Sequence, residues 1–213
     1  MTEAVDLDSD LFELAMSAQA QPLMDAVQRH ITENVEPIVE EFYALNSDKT
    51  DRWSWHPRQL ELLEGAKNKA KESGLWNFFL PDSDTGEGLS NLDYAYIAAE
   101  LGKVPLASET LNCSAPDTGN MEVLERVGTP EQKERWLKPL LNGEIRSAYA
   151  MTEPSLPSSD AKNISTHAVL DGDDWVINGE KYYISGAGDP RCKIMITMVK
   201  TSPDAAPSRQ QPQ

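Results

Sequence analysis

Along roughly the first two thirds of the chain the apolar positions recur every three or four residues, and along the remainder they do not. From Leu23, the side chains of Ala26, Val27, Ile31, Val35, Ile38 and Phe42 share one face, which predicts a long amphipathic helix. Pro37 falls inside that face, where its missing N–H and its ring should kink or locally end the helix. Residues 11–20 form at most a separate turn or two ahead of Pro22.

After a polar linker at 46–51, a second helix is expected from Pro57, since proline is favoured at the first helical position. It carries Leu60, Leu63, Ala66 and Ala70 and stops at Gly74. A third helix presents Leu92, Ala95, Tyr96 and Ala99 before Gly102. A short helix over 106–111 leads into a loop at 112–120 crowded with hydroxyl and amide side chains, then a helical run over 121–127. Thr129-Pro130-Glu131-Gln132 opens the last helix with an N-cap, a proline and an acidic first turn, and that helix ends near Leu141.

At Ile145 the period shortens to that of strands, expected over 167–170, 175–178, 181–184 and 193–199 between Asp-Gly, Asn-Gly and Gly-rich turns. The fold class is therefore α+β, an all-helical N-terminal domain followed by a domain of antiparallel strands. The expected division is an acidic, largely disordered leader at 1–20, a helical domain at 21–143, a β-domain at 144–200 and a disordered tail at 201–213. The tail is rich in Pro, Ser, Ala and Gln and has no apolar period.

Charge narrows the partners. With 35 acidic residues against 19 basic ones the net charge is −16, which argues against nucleic acid or an anionic membrane surface as a partner. An anionic small ligand would have to be met by local donors such as backbone amides. The N-terminus is acidic rather than basic-then-apolar and the apolar runs are short, so neither a signal peptide nor membrane insertion is expected and a cytoplasmic location is. Cys113 and Cys192 lie far apart and read as reduced thiols, and with the three histidines scattered no metal site is expected.

The chemistry sits in two stretches. Tyr149-Ala150-Met151-Thr152-Glu153-Pro154 is followed by Ser158-Ser159-Asp160, and Lys181-Tyr182-Tyr183-Ile184-Ser185 comes about thirty residues after Thr152. On their own, Thr152 caps a loop, Tyr183 is a β-forming residue and Ser185 ends a strand. Together and in this order, the two stretches resemble the flavin-binding core of the acyl-CoA dehydrogenase superfamily. There a Tyr-x-x-Thr-Glu-Pro strand-loop and a Lys-x-Trp-Ile-Thr/Ser strand hold the isoalloxazine.

That resemblance implies FAD as cofactor, contacted by Tyr149, Met151, Thr152, Ser158, Ser159, Tyr183, Ile184 and Ser185. Thr152 would meet the pyrimidine side of the ring, Ser185 the neighbourhood of N5, and Tyr183 would stand where most of the superfamily has Trp. Ser159 would also lie near the substrate. The loop at 155–160 is one residue longer than the common pattern and lacks its glycine, which leaves open whether Ser158 or Ser159 takes that place. The 112–120 loop is either part of an acyl pocket or a capped connection between helices.

The implied activity is α,β-dehydrogenation of an acyl-CoA thioester, with an electron-transferring flavoprotein as acceptor and a homo-oligomer in the full-length form. The resemblance covers roughly residues 20–200 and implies that the strand domain is a partial antiparallel β-barrel. In the family the proton-abstracting carboxylate lies in a C-terminal helical domain, so no catalytic residue is assigned here, and Glu153 belongs to the loop motif. The chain reads as the N-terminal part of a dehydrogenase, inactive by itself. A non-catalytic helical binding or assembly module on the same scaffold and a related flavin oxidase are the alternatives.

Overall fold

The computed structural model describes residues 14–49, 51–81, 86–202 and 205, so residues 1–13 of the leader expected at 1–20 lie outside the described residues, as does most of the expected tail. The described residues fall into two compact units. One comprises the chain up to Lys49 together with Trp55–Ser114, and the other the residues up to Ser54 that follow Lys49 together with the chain from Ala115.

The first unit is helical. Its long amphipathic stretch is α1 (Gln21–His30), one π turn (Ile31–Val35) and α2 (Glu36–Ala44). Pro37 does not end the helix. The Glu36 N–H reaches back five residues to the Ile31 carbonyl, and the wide turn sits directly before the pair Glu36-Pro37, whose proline lacks a donor and crowds the preceding carbonyls. α3 (Pro57–Glu72) starts where proline predicts, with His56 Nδ1 accepting from the Arg58 N–H at 3.1 Å and Gln59 Oε1 accepting from the His56 N–H at 3.2 Å. It ends at Gly74, whose φ of +72° is left-handed, with the Leu75 N–H on the Ala70 carbonyl at 2.9 Å. α4 (Asn91–Leu101) is capped by Ser90, and α5 is the short helix Ala107–Thr110.

Val27, Val35, Leu63, Ala70, Ile97 and Leu111 close the core of this unit with no exposed surface. His30 is buried among them, its Nε2 3.1 Å from Thr110 Oγ1. Thr110 donates its own hydrogen to the Ala107 carbonyl, so the histidine donates through Nε2, and burial lowers its pKa.

In the second unit α6 (Asp117–Val127) begins four residues earlier than the periodicity predicts. The polar residues that obscured its start are buried and tied to the strand that follows. Asp117 Oδ1 accepts from the Ser147 N–H at 2.8 Å and from Ser147 Oγ at 2.5 Å, and its Oδ2 meets Arg146 Nε at 2.5 Å. Asn120 Nδ2 reaches Ser147 Oγ at 2.8 Å and the Ala148 carbonyl at 3.1 Å. Asp117 and Asn120 therefore act as a connection between helix and strand. α7 (Pro130–Gln132), a second π turn (Lys133–Leu137) and α8 (Lys138–Leu141) form one continuous helix, the π turn again directly preceding a residue–proline pair, Lys138-Pro139.

The strands are β1 (Arg146–Ala150), β2 (His167–Asp171), β3 (Asp174–Asn178) and β4 (Cys192–Thr197). The α+β class holds. β2 and β3 form an antiparallel hairpin in the register Ala168↔Ile177 and Leu170↔Trp175, its turn made by Gly172 at φ +63°. β1 and β4 pair in parallel, with Ser147↔Ile194 and Tyr149↔Ile196, so the described strands make two two-stranded sheets, one of them parallel, and not a closed antiparallel barrel.

The strand expected at 181–184 is absent. Tyr183 takes a left-handed φ of +56° and Gly179 a φ of +151°, so the segment cannot run extended through them. One residue, Tyr182, keeps a strand-like bond, its N–H on the Thr152 carbonyl at 3.0 Å.

Candidate functional site

The end of β1 is locked by a buried carboxylate. Glu153 is 4 % exposed, and its Oε1 accepts from the Thr166 N–H at 2.9 Å, Thr166 Oγ1 at 2.7 Å and Lys181 Nζ at 2.9 Å. Oε2 accepts from the Ser165 N–H at 2.8 Å and Ser165 Oγ at 2.7 Å. Burial opposes the charge, but the hydroxyls of Ser165 and Thr166 and the Lys181 ammonium outweigh it and hold the carboxyl well below the usual carboxylate range. A carboxylate held in this way is a poor proton acceptor at neutral pH, and its role is to join three segments of chain.

Lys181 extends the lock. Besides Glu153, its Nζ donates to the Met151 carbonyl at 2.8 Å, with the side chain only 11 % exposed. Beside it Thr152 and Tyr182 bond reciprocally. The Tyr182 N–H meets the Thr152 carbonyl at 3.0 Å and Thr152 Oγ1 donates to the Tyr182 carbonyl at 2.5 Å, a hydroxyl taking the place of a backbone amide in what is otherwise a ladder rung.

Past this rung the chain turns outward. Tyr183 is 83 % exposed, its ring 4.2 Å from that of Tyr182. Ile184 and Ser185 enter a turn closed by the Ala187 N–H on the Ile184 carbonyl at 3.2 Å, with Gly186 at φ +81°. The turn walls a cleft of about 880 Å³ within the second unit, together with Lys181, Met195, Arg52 and Trp53. Gly188 admits the indole: a Cβ there would stand 2.3 Å from Trp53 Cδ2. Asp51 fixes the other side, its Oδ1 accepting from the Trp53 N–H at 2.6 Å and the Ser54 N–H at 2.9 Å.

Of the residues singled out in the sequence, Tyr183, Ile184 and Ser185 line this cleft and Thr152 is bonded to its border through Tyr182. Tyr149 lies on β1, 39 % exposed, and Met151 is half-buried beside Thr152. Ser158 is buried, its hydroxyl accepting from the Glu153 N–H at 2.6 Å, whereas Ser159 is exposed. None of these four lines the cleft.

Sequence reasoning does not find Ser165, Thr166, Arg52 or Trp53. An adjacent pair of hydroxyl residues entering a strand is a weak hint for the first two. No local pattern connects Trp53 to a turn more than a hundred residues later.

The family model for the acyl-CoA dehydrogenase N-terminal domain matches residues 19–144, and that for the middle domain matches 148–211. The chain belongs to the acyl-CoA dehydrogenase family. It is 55 % identical over 151 residues to the probable acyl-CoA dehydrogenase FadE2 of Mycobacterium tuberculosis, a match covering 70 % of this chain and 36 % of that protein. A solved Mycobacterium abscessus structure assigned as an acyl-CoA dehydrogenase is 46 % identical with a TM-score of 0.80, covering 90 % of this chain and 48 % of the other. The acyl-CoA dehydrogenase of Bacillus anthracis, solved in complex with FAD, shares the fold at 23 % identity and a TM-score of 0.58, covering 88 % of this chain and 30 % of the other. The chain spans less than half the length of each of these three proteins.

Proposed function

We propose that this chain carries flavin-contacting residues of an FAD-dependent acyl-CoA dehydrogenase. The observation that carries the reading is the cleft, where a turn bearing Tyr183, Ile184 and Ser185 projects from the Glu153–Lys181 lock. The residues present fit the cofactor's ring. The volume of about 880 Å³ falls in the range of about 300–1,000 Å³ typical of small-molecule sites. An exposed aromatic face, a short hydroxyl side chain and the backbone at Gly186 supply stacking and hydrogen-bonding groups.

When bound, FAD supplies the hydride acceptor for α,β-dehydrogenation of an acyl-CoA thioester. Ser185 and the turn amides orient the ring, Tyr183 covers it from water, and Thr152 fixes the border of the site. Tyr149 on β1 and Met151 just beyond its end support this border. Ser159, whose side chain is open where that of Ser158 is taken up inside the loop, is the better placed of the two to meet ligand phosphates and the thioester.

Among the described residues no carboxylate lines the cleft, and Glu153 is held as an anion by five donor contacts. The acceptor for the α-proton lies outside this set of described residues, and we assign turnover to a longer protein or a complex that supplies it. An electron-transferring flavoprotein as acceptor, a homo-oligomeric full-length form and a cytoplasmic setting complete the proposal. No helix among the described residues is long and apolar enough to cross a membrane.

The test is flavin affinity of the chain and of two variants, read by quenching of flavin fluorescence. Ser185→Ala alone, which leaves the Thr152–Tyr182 rung intact, and Thr152→Ala with Ser185→Ala should weaken FAD binding progressively. The double variant should lose about tenfold or more, since each hydrogen bond is worth about 1 kcal/mol, with the circular dichroism spectrum unchanged. Equal affinity in all three would overturn the assignment and favour a module that keeps the scaffold without using flavin.

A further inference from the structure

The charged residues that line the cleft do not follow the composition of the chain. Acidic residues outnumber basic ones 35 to 19 in the sequence, yet among the described residues lining the cleft there is no Asp or Glu, and the charged ones are Arg52 and Lys181. The Lys181 ammonium is already taken up, by Glu153 Oε1 at 2.9 Å and the Met151 carbonyl at 2.8 Å. Arg52 is exposed, and its guanidinium lies over the face of Trp53, 4.6 Å from its carbon to the ring centroid.

Its position is prepared. Asp51 pins the backbone of Trp53 and Ser54, and Trp53 rests where only a glycine at 188 leaves room for the indole. A guanidinium stacked on a ring keeps its edge N–H groups free, in the planar fork that matches phosphate oxygens. In a chain of net charge −16 the long-range field repels an anion, so binding one depends on local donors, and a cation at the site itself is the strongest of these.

We infer that Arg52 is the anion-docking residue of the cleft and receives the pyrophosphate of the ligand that occupies it. The ligand class is a pyrophosphate-bearing nucleotide, a group common to a flavin dinucleotide and to coenzyme A. The inference rests on the cleft reading above only for the identity of the ring. The role of Arg52 stands or falls on the phosphate.

The experiment measures equilibrium binding of riboflavin, FAD and coenzyme A to the chain, to Arg52→Gln and to Arg52→Lys, each at low and high salt. Arg52 is exposed and stacks on its neighbour's ring, so the variants should fold, which circular dichroism checks. FAD is expected to bind wild type about tenfold more tightly than Arg52→Gln, with part of that restored in Arg52→Lys, riboflavin unchanged and the difference shrinking at high salt. The same pattern for coenzyme A with FAD unmoved would also support Arg52 and assign the pyrophosphate to the thioester substrate. If neither flavin binds but coenzyme A does so through Arg52, the flavin reading fails and the docking role stands. FAD bound equally by wild type and Arg52→Gln, with coenzyme A equally indifferent, overturns the docking role and leaves the flavin reading in place. No binding of any of the three overturns both.

Discussion

Glu153 and Tyr183 belong to the two stretches that carry the family resemblance, and their surroundings are opposite. Glu153 is 4 % exposed, and its carboxylate accepts from two hydroxyls, two backbone amides and an ammonium. Tyr183 is 83 % exposed, with a left-handed backbone and a ring in contact with that of its neighbour Tyr182. One residue is fully satisfied by the protein and the other is presented to whatever enters the cleft. The contrast separates two roles within one motif. Glu153 and Lys181 hold the scaffold, and the turn from Tyr183 to Gly188 is left for a ligand.

Removing the lock should have the largest effect. Glu153→Gln keeps the shape but leaves the Lys181 ammonium without its ion pair in a place where it is 11 % exposed, and breaking a buried pair costs about 3–5 kcal/mol. Urea unfolding should show a loss near the lower end of that range, since the Met151 carbonyl still accepts from Lys181. The pH dependence carries a second signature. The folded Glu153 has its pKa lowered from an ordinary value of 4.5, so its stabilisation is complete above that value and is lost as pH falls below it towards the folded pKa. The difference between wild type and Glu153→Gln should therefore be constant near neutrality and shrink below about pH 4.5. A difference under about 1 kcal/mol that ignores pH would show that Glu153 is not the anchor.

At Tyr183 the expectation is reversed. Tyr183→Gly removes a residue from a left-handed backbone that costs an L side chain about 1–2 kcal/mol, while freeing the unfolded chain by a comparable amount. Unfolding stability should stay within about 1 kcal/mol of wild type, and flavin affinity should fall by several-fold as the exposed ring is lost. A loss of stability similar to that of Glu153→Gln would erase the contrast between scaffold and ligand-facing turn.

Local signals were legible in proportion to how local their causes are. The helix starts at Pro57 and Pro130, the stop at Gly74 and the β2–β3 turn at Gly172 depend on neighbouring residues, and each lies where the sequence places it. Pro37 was legible as a disturbance but not in its form, because the chain can relieve a proline with a π turn as well as with a break. Residues 181–184 carry the aromatics and β-branching of a strand, yet propensity on a short segment yields to Gly179 and to anchoring at Lys181 and Tyr182. The parallel pairing of β1 with β4 and the approach of Trp53 to Gly188 are long-range facts that no spacing encodes. The candidate site shows the same division, with the motif residues readable one by one and the donors around Glu153 visible only once the chain is folded.

The measurement that bears most directly on the account is the visible absorbance of the chain after incubation with FAD and removal of the excess by gel filtration. A retained and structured flavin band co-eluting with the protein is expected. A colourless protein whose circular dichroism shows the folded mixture of helix and strand would contradict it.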